Sequence, residues 1–296
     1  MTTVTAPTRV TEHGRAGLRG AMRSEWTKLR SVRSTWICLV VVVVAGIGLS
    51  ALVSNIEASA WAHLELDDRA HFDPVRFSQT GAFISQFVVG VLGALVVTAE
   101  YATGSIRTTL AGMPRRATAL AAKGIVVTAV VFVVSEVTAF LSFFVGQAVL
   151  TAHGGKILPA NSSILTQLRS PVIPVLSITS SGAFRAVFLA GVYLTGLAVF
   201  AFGIGFLLRH TSGSISLYVG LLLVLPLVIQ ILPNKINKPI DQYLPSSLGL
   251  AMTVVTTRKD HFAGTLLTPW VATGVLGLYA AACVVLAAWV LARRDA

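Results

Sequence analysis

The sequence predicts an all-α membrane protein of six transmembrane helices, preceded by an amphipathic helix in the membrane interface. Three observations carry that prediction. Of 296 residues, 54% are hydrophobic and only 12% are charged, about half of the roughly 25% charged share typical of soluble domains. The apolar residues gather into runs of about 18 or more, the length that crosses ~30 Å of hydrocarbon at ~1.5 Å per residue. Lysine and arginine are concentrated at the N-terminus and in particular connections between those runs, as expected of a chain threaded through a bilayer.

Residues 1–16 are polar and lack periodicity, which predicts disorder. An interfacial helix follows over 17–34, where Leu18, Met22, Trp26, Leu29, Val32 and Trp36 recur at three- and four-residue steps. Arg19, Arg23 and Arg30 form a neighbouring stripe, suited to anionic headgroups while the apolar stripe lies in acyl chains. An ordinary basic flank before the first span is the plainer alternative; the regular stripe favours the interfacial helix. The residues expected to seat it are Met22, Glu25, Trp26, Leu29, Arg30 and Arg33. Glu25 falls on the apolar side, so a partner is expected in Lys28 or a neighbouring arginine.

The six spans are predicted at about Thr35–Val53, Gly81–Ala99, Gly124–Leu150, Arg185–Leu208, Ile215–Leu232 and Pro269–Leu291. The first is read as an anchor, because its charged leader is too long for a signal peptide and no small-x-small site follows. Cys38 and Cys283 fall inside spans and read as small packing residues, with no disulfide or metal site implied. Pro226 should kink span five. Between spans one and two, His63, Asp67 and His71 would share a face if they lay on one helix, a spacing that can hold a metal. A solvated acidic face with incidental histidines is the commoner arrangement, and no metal site is assigned. The 151–184 connection, broken by Pro159, Pro171 and Pro174, cannot be one regular element. In the last long connection Pro245 can open a short helix that packs against or dips into the outer leaflet.

A net charge of +11 raises the question of nucleic acid, but its distribution answers against it. Residues 1–34 hold Arg9, Arg15, Arg19, Arg23, Lys28, Arg30 and Arg33 against Glu12 and Glu25, and 100–123 hold Arg107, Arg115, Arg116 and Lys123 against Glu100. The 54–80 connection reverses the balance, with Glu57, Glu65, Asp67, Asp68 and Asp73 against Arg69 and Arg76. Basic flanks resist translocation, so both termini and the 100–123 segment are expected in the cytoplasm of a multi-pass inner-membrane protein.

Catalytic patterns are missing. There is no H-E-x-x-H, no G-x-S-x-G and no Walker A; "HGGKIL" lacks the spaced first glycine and the following Ser/Thr. Neither a catalytic role nor a bound cofactor is therefore expected. Glu136 lies near the centre of span three, where an ionisable group is costly unless it is paired, protonated or facing water. A pathway or coupling role stands beside a structural one, a protonated carboxyl bonded to a neighbouring helix. Ser135, Thr138, Ser142 and Gln147 add polar groups on that helix, and the glycines of span four suit close helix packing.

The stretch "GALVVTAEYATGSIRTTLAGMPRRATALAAK" resembles the segment between the second and third spans of ABC-2-type transporter permeases, in particular an actinobacterial branch. The matching residues are Glu100, Gly104, Ser105, Ile106, Pro114, Arg115, Arg116 and Lys123. "SEWTKLRSVRSTW", "LLRHTSGS", "YLPSSLG" and the terminal "ARRDA" resemble the family in the same order, over nearly the whole chain. The resemblance implies a half-transporter: two permease copies pair, as homodimer or heterodimer, each on a separate ATPase subunit that binds ATP and Mg. It further implies export by alternating access, with the 100–116 segment as the coupling helix that docks on the ATPase. In agreement, Ile106, Leu110 and Met113 form an apolar edge framed by Arg107, Arg115 and Arg116, at a spacing that a partner's groove reads. A solvated basic turn that only fixes topology is the plainer reading. Rival functions are a proton-coupled secondary transporter using Glu136 and a membrane sensor or immunity protein without transport.

Overall fold

The computed structural model describes residues 17–65, 69, 72–106, 116–157, 172–255 and 266–293. Six of its helices are long and apolar enough to cross a membrane. They are span 1 (Arg33–Ala60), span 2 (Ala82–Ala102), span 3 (Arg116–Ala152), span 4 (Ala183–Leu208), span 5 (Thr211–Gln230) and span 6 (Pro269–Arg293). The expectation of disorder over 1–16 lies outside the described residues. Spans 1 and 3 outrun their predicted bounds because hydropathy ends where the hydrocarbon does, whereas a helix ends where its propensity fails. The "RATALAAK" that opens span 3 is rich in alanine, the best helix former, and carries the helix past the apolar run.

Before the spans comes α1, Leu18–Ser31. A single residue, Val32, in extended conformation (φ −89°, ψ 119°), separates it from span 1. The Trp36 indole N–H donates to the Arg30 carbonyl across this break, at 3.0 Å. Ala21, Glu25 and Leu29 face inward, with Met22 packed against the core, while Leu18, Trp26, Val32 and Trp36 are exposed. The single apolar stripe expected from the sequence is thus divided. Leu29 and Met22 pack against protein, and the two tryptophans point away from it.

Span 4 is the central post, packed against spans 2, 3 and 6. Most of its stretch Ala183–Phe206 is buried, and small residues at the crossings let backbones meet. At Gly93 of span 2, a Cβ would stand 2.3 Å from the Ala198 carbonyl oxygen. No residue larger than glycine fits there. Polar side chains lock the same layer: Tyr193 Oη donates to Gln86 Oε1 at 2.6 Å, and Tyr218 Oη to the Gln86 carbonyl at 2.7 Å.

Span 5 absorbs Pro226 without a break. Gly220–Val224 form a π-helical turn in which the Leu225 N–H bonds the Gly220 carbonyl, five residues back. Widening the helix immediately before proline removes the clash of its ring with the preceding turn.

At the end of the bundle opposite α1, Asp73 caps the helix Pro74–Ser78 by accepting from the Val75 and Arg76 amides, and it also accepts from Val255 N–H at 3.0 Å. Gln147 is buried and fully engaged: it donates to Pro74 O and Ser78 Oγ and accepts from Leu176 N–H. That commits it to a structural clamp away from Glu136. Pro245 does open a short helix, Pro245–Thr253, whose Leu248 and Met252 are buried in the core. Among the described residues of the 151–184 connection, Lys156–Ile157 pair in parallel with Pro174–Val175. The helical turn Trp61–His63 ends at Leu64, which is extended (φ −67°, ψ 139°). His63 is therefore not on a helix that runs on through Asp67; Asp67 and His71 themselves lie outside the described residues.

Candidate functional site

The described residues place four charged side chains together at the α1 end of the bundle. Packing Leu29 into the cluster that holds Val126 and Val127 draws Glu25, one turn earlier on α1, beside Lys123, one turn earlier on span 3. Lys123 Nζ donates to Glu25 Oε2 at 2.5 Å and to Glu100 Oε1 at 2.9 Å. Lys28 Nζ donates to Glu25 Oε1 at 2.8 Å and to Glu100 Oε1 at 3.1 Å. Two acids and two bases from α1 and spans 2 and 3 thus form one network.

Burial decides which of these contacts matter. The Lys123 side chain is 5% exposed, Glu25 4% and Glu100 13%, whereas Lys28 is 39% exposed. An ammonium as buried as that of Lys123 would cost several kcal/mol without its two carboxylates. Burial alone would raise the Glu25 pKa, but the charge and hydrogen bonds of Lys123, with those of Lys28, hold it below its ordinary value. Burial likewise pulls Lys28 down, and its bonds and attraction to Glu25 and Glu100 more than offset this, so its pKa is raised. Glu100 Oε2 is buried and has no hydrogen-bond partner among the described residues.

The expected partner of Glu25 was local, Lys28 or an arginine. Lys28 does bind it, but the more buried partner is Lys123, 98 residues away. Beyond Glu100 the chain turns at Gly104, whose φ of 71° suits glycine. Ser105 and Thr103 hydroxyls share a hydrogen bond at 2.9 Å. Ile106 is 7% exposed, so its side chain packs inside the chain and is not open to a partner in this conformation. Arg107, Leu110, Met113, Pro114 and Arg115 lie outside the described residues, and Arg116 opens span 3. Arg33 opens span 1 and is exposed, as is Arg30. The segment from 107 to 115 is therefore flanked by Glu100 and Lys123, which are ion-paired to each other and to α1.

Glu136 lies apart from this network. Both carboxyl oxygens are buried and without a hydrogen-bond partner among the described residues. The carboxyl packs over Gly191 of span 4, where an added Cβ would meet its carbon at 2.5 Å. The neighbouring-helix hydrogen bond of the structural reading is not made among the described residues. Sequence reasoning missed the Gln86–Tyr193–Tyr218 lock, and also Arg209, which stacks on Tyr101 at 5.3 Å and adopts a left-handed backbone (φ 54°). Polar residues inside apolar runs were the available signal for the lock, and "LLRHTSGS" was the one for Arg209.

Six apolar helices, five of them arranged about the buried post of span 4, with a charge network tying the ends of spans 2 and 3 to an amphipathic helix, define a multi-pass membrane protein. The chain belongs to the ABC-2 family transporter proteins, whose family model matches residues 21–207. It is a permease subunit, a membrane transport component of an ABC transporter. The match contains most of α1, spans 1–3, span 4 up to Leu207, the whole charge network and Glu136. No curated protein matches the sequence.

Proposed function

We propose that the chain is the permease of an ATP-driven exporter, pairing with a second permease copy and resting on a separate ATPase that binds ATP and Mg. The α1 end, both termini and the 100–123 segment face the cytoplasm of the inner membrane. The 107–116 stretch is the element that docks on the ATPase, with Leu110 and Met113 offering apolar contacts and Arg107, Arg115 and Arg116 framing them. Substrate crosses by alternating access.

The supporting observation is the ion pairing of Glu100 and Lys123. A push on a segment held at both ends by loose chain would dissipate in the connection. Here the two flanks are bonded to each other and to Glu25 and Lys28 of α1, so displacement of the segment moves three elements together. The buried Ile106 side chain anchors the leading side of the segment.

Leu110→Asp and Met113→Asp test the reading, because their side chains are the proposed contacts and Ile106 is reserved for the fold. Each should weaken co-purification with the ATPase by at least about tenfold, since it forfeits apolar burial and desolvates a charge. Abundance and insertion should stay normal. Full partner retention and full export in both variants would defeat the proposal. Glu136, buried and without a hydrogen-bond partner among the described residues, favours a second reading, a proton-coupled carrier; export from proteoliposomes driven by a pH gradient without ATP would establish that one instead.

A further inference from the structure

Between α1 and spans 2 and 3 lies a cleft of about 530 Å³, within the range of small-molecule sites. Its floor is apolar, built by Leu29, Leu92, Leu95, Val96, Val126 and Val127. Ser31, Ser34 and Thr35, where α1 passes into span 1, also line it. The charged side chains on its wall, Glu25, Glu100, Lys28 and Lys123, are two acids and two bases and cancel. The junction of α1 with span 1 is different. Arg30 and Arg33 do not line the cleft but flank its lining residues Ser31 and Val32 in sequence; both are exposed, and neither has an acidic partner among the described residues.

Depth supplies the rest. Trp26 and Trp36, on either side of that junction in sequence, are 45% and 52% exposed, and exposed tryptophans of membrane proteins settle at headgroup level. A largely apolar cleft at that level, with exposed guanidinium groups on residues adjoining its lining, matches a molecule whose hydrocarbon tail enters the cleft and whose anionic head stays outside it. We propose that this cleft binds one anionic phospholipid, its phosphate held by Arg30 and Arg33 with the Ser31 and Ser34 hydroxyls, and one acyl chain lying against Leu95 and Val96 between α1 and span 2. Arginine presents a planar fork suited to phosphate oxygens. The site does not rest on the ATPase reading; the orientation proposed above decides only that the leaflet is the inner one.

The test uses the purified full chain, without ATPase, in nanodiscs of phosphatidylcholine containing a trace of phosphatidylglycerol with a photoactivatable acyl chain. Labelling should concentrate on the peptides that hold Leu95, Val96, Val126 and Val127. Unlabelled phosphatidylglycerol should compete, and added phosphatidylcholine should not. Arg30→Gln with Arg33→Gln, both on exposed positions, should reduce that labelling at least about tenfold, as two juxtamembrane basic residues each contribute to anionic-lipid binding. Val96→Phe, which fills the floor and leaves both arginines in place, should abolish it. Labelling spread evenly over the spans, insensitive to head charge, or unchanged in the double arginine variant overturns the proposal.

Discussion

Replacing Lys123 by methionine keeps the length of the side chain and removes its charge. It would leave Glu25 and Glu100, 4% and 13% exposed, with Lys28 as the remaining cation of the network. Removing one partner of a buried ion pair costs about 3–5 kcal/mol, because the other charge stays desolvated. Lys28→Met should cost far less, about 1 kcal/mol or below, since Lys28 is 39% exposed and solvent screens such pairs. Adding Glu25→Gln to Lys123→Met removes one stranded charge and leaves Glu100 facing Lys28. The double variant should therefore recover part of the loss, with a coupling energy of at least ~1.5 kcal/mol between the two sites. The assay is denaturant unfolding of the purified chain in micelles across the four members of the cycle. A coupling below ~0.5 kcal/mol, or a Lys28→Met loss equal to that of Lys123→Met, would refute the assignment of Lys123 as the network's centre.

Three further outcomes are expected. Glu25 is held below its ordinary value of 4.5, so its contribution is complete above that value and is lost only as pH falls through the lowered one; Lys28, raised above 10.5, contributes fully below that value and loses its share as pH rises through the raised one. Docking of α1, followed by a fluorophore on Arg23→Cys in a variant lacking both native cysteines, should thus be flat between those limits; a midpoint near neutrality would contradict the pairing. Gly191→Ala should destabilise by about 1–3 kcal/mol through overpacking against Glu136, and Glu136→Ala should relieve most of it, whereas Glu136→Gln should spare assembly and lower export if the carboxyl serves the pathway. A reporter fused after Lys123 should behave as cytoplasmic and one inserted near Asp68 as external, and the reverse pattern would invert the topology.

The spans stood out plainly in the sequence, because an apolar run of bilayer length is seldom anything but a membrane crossing. So did the oddity of Glu25, an acid in the middle of an apolar stripe. What stayed hidden was its partner. Lys123 comes close through the packing of Leu29 against the foot of span 3, and no local pattern encodes a contact across 98 residues. The same reason hid the bond from Tyr218 to the Gln86 carbonyl, 132 residues apart. Ile106 illustrates the opposite error. Read on its own segment it completes an apolar edge, yet the fold already covers it. Periodicity shows that a side chain wants burial, not which surface provides it. The π-helical turn of span 5 was foreshadowed only by Pro226, and proline marks a place of strain without specifying how the helix will relieve it.

The one-residue link at Val32 has a mechanical consequence. With a single pair of dihedrals between two regular helices, α1 can swing about that joint but has almost no slack along its own axis. Its fourteen residues make a lever about 21 Å long at ~1.5 Å per residue. A rotation of ~10° at Val32 therefore carries the far end roughly 4 Å and Glu25, about 10 Å from the joint at the same rise, by nearly 2 Å. That is enough to stretch the Glu25–Lys123 contact of 2.5 Å beyond hydrogen-bonding range. The ion pair and the Trp36 bond to Arg30 thus act as a latch on a hinge: small angles at Val32 are resisted first by the shortest and most buried contact of the network.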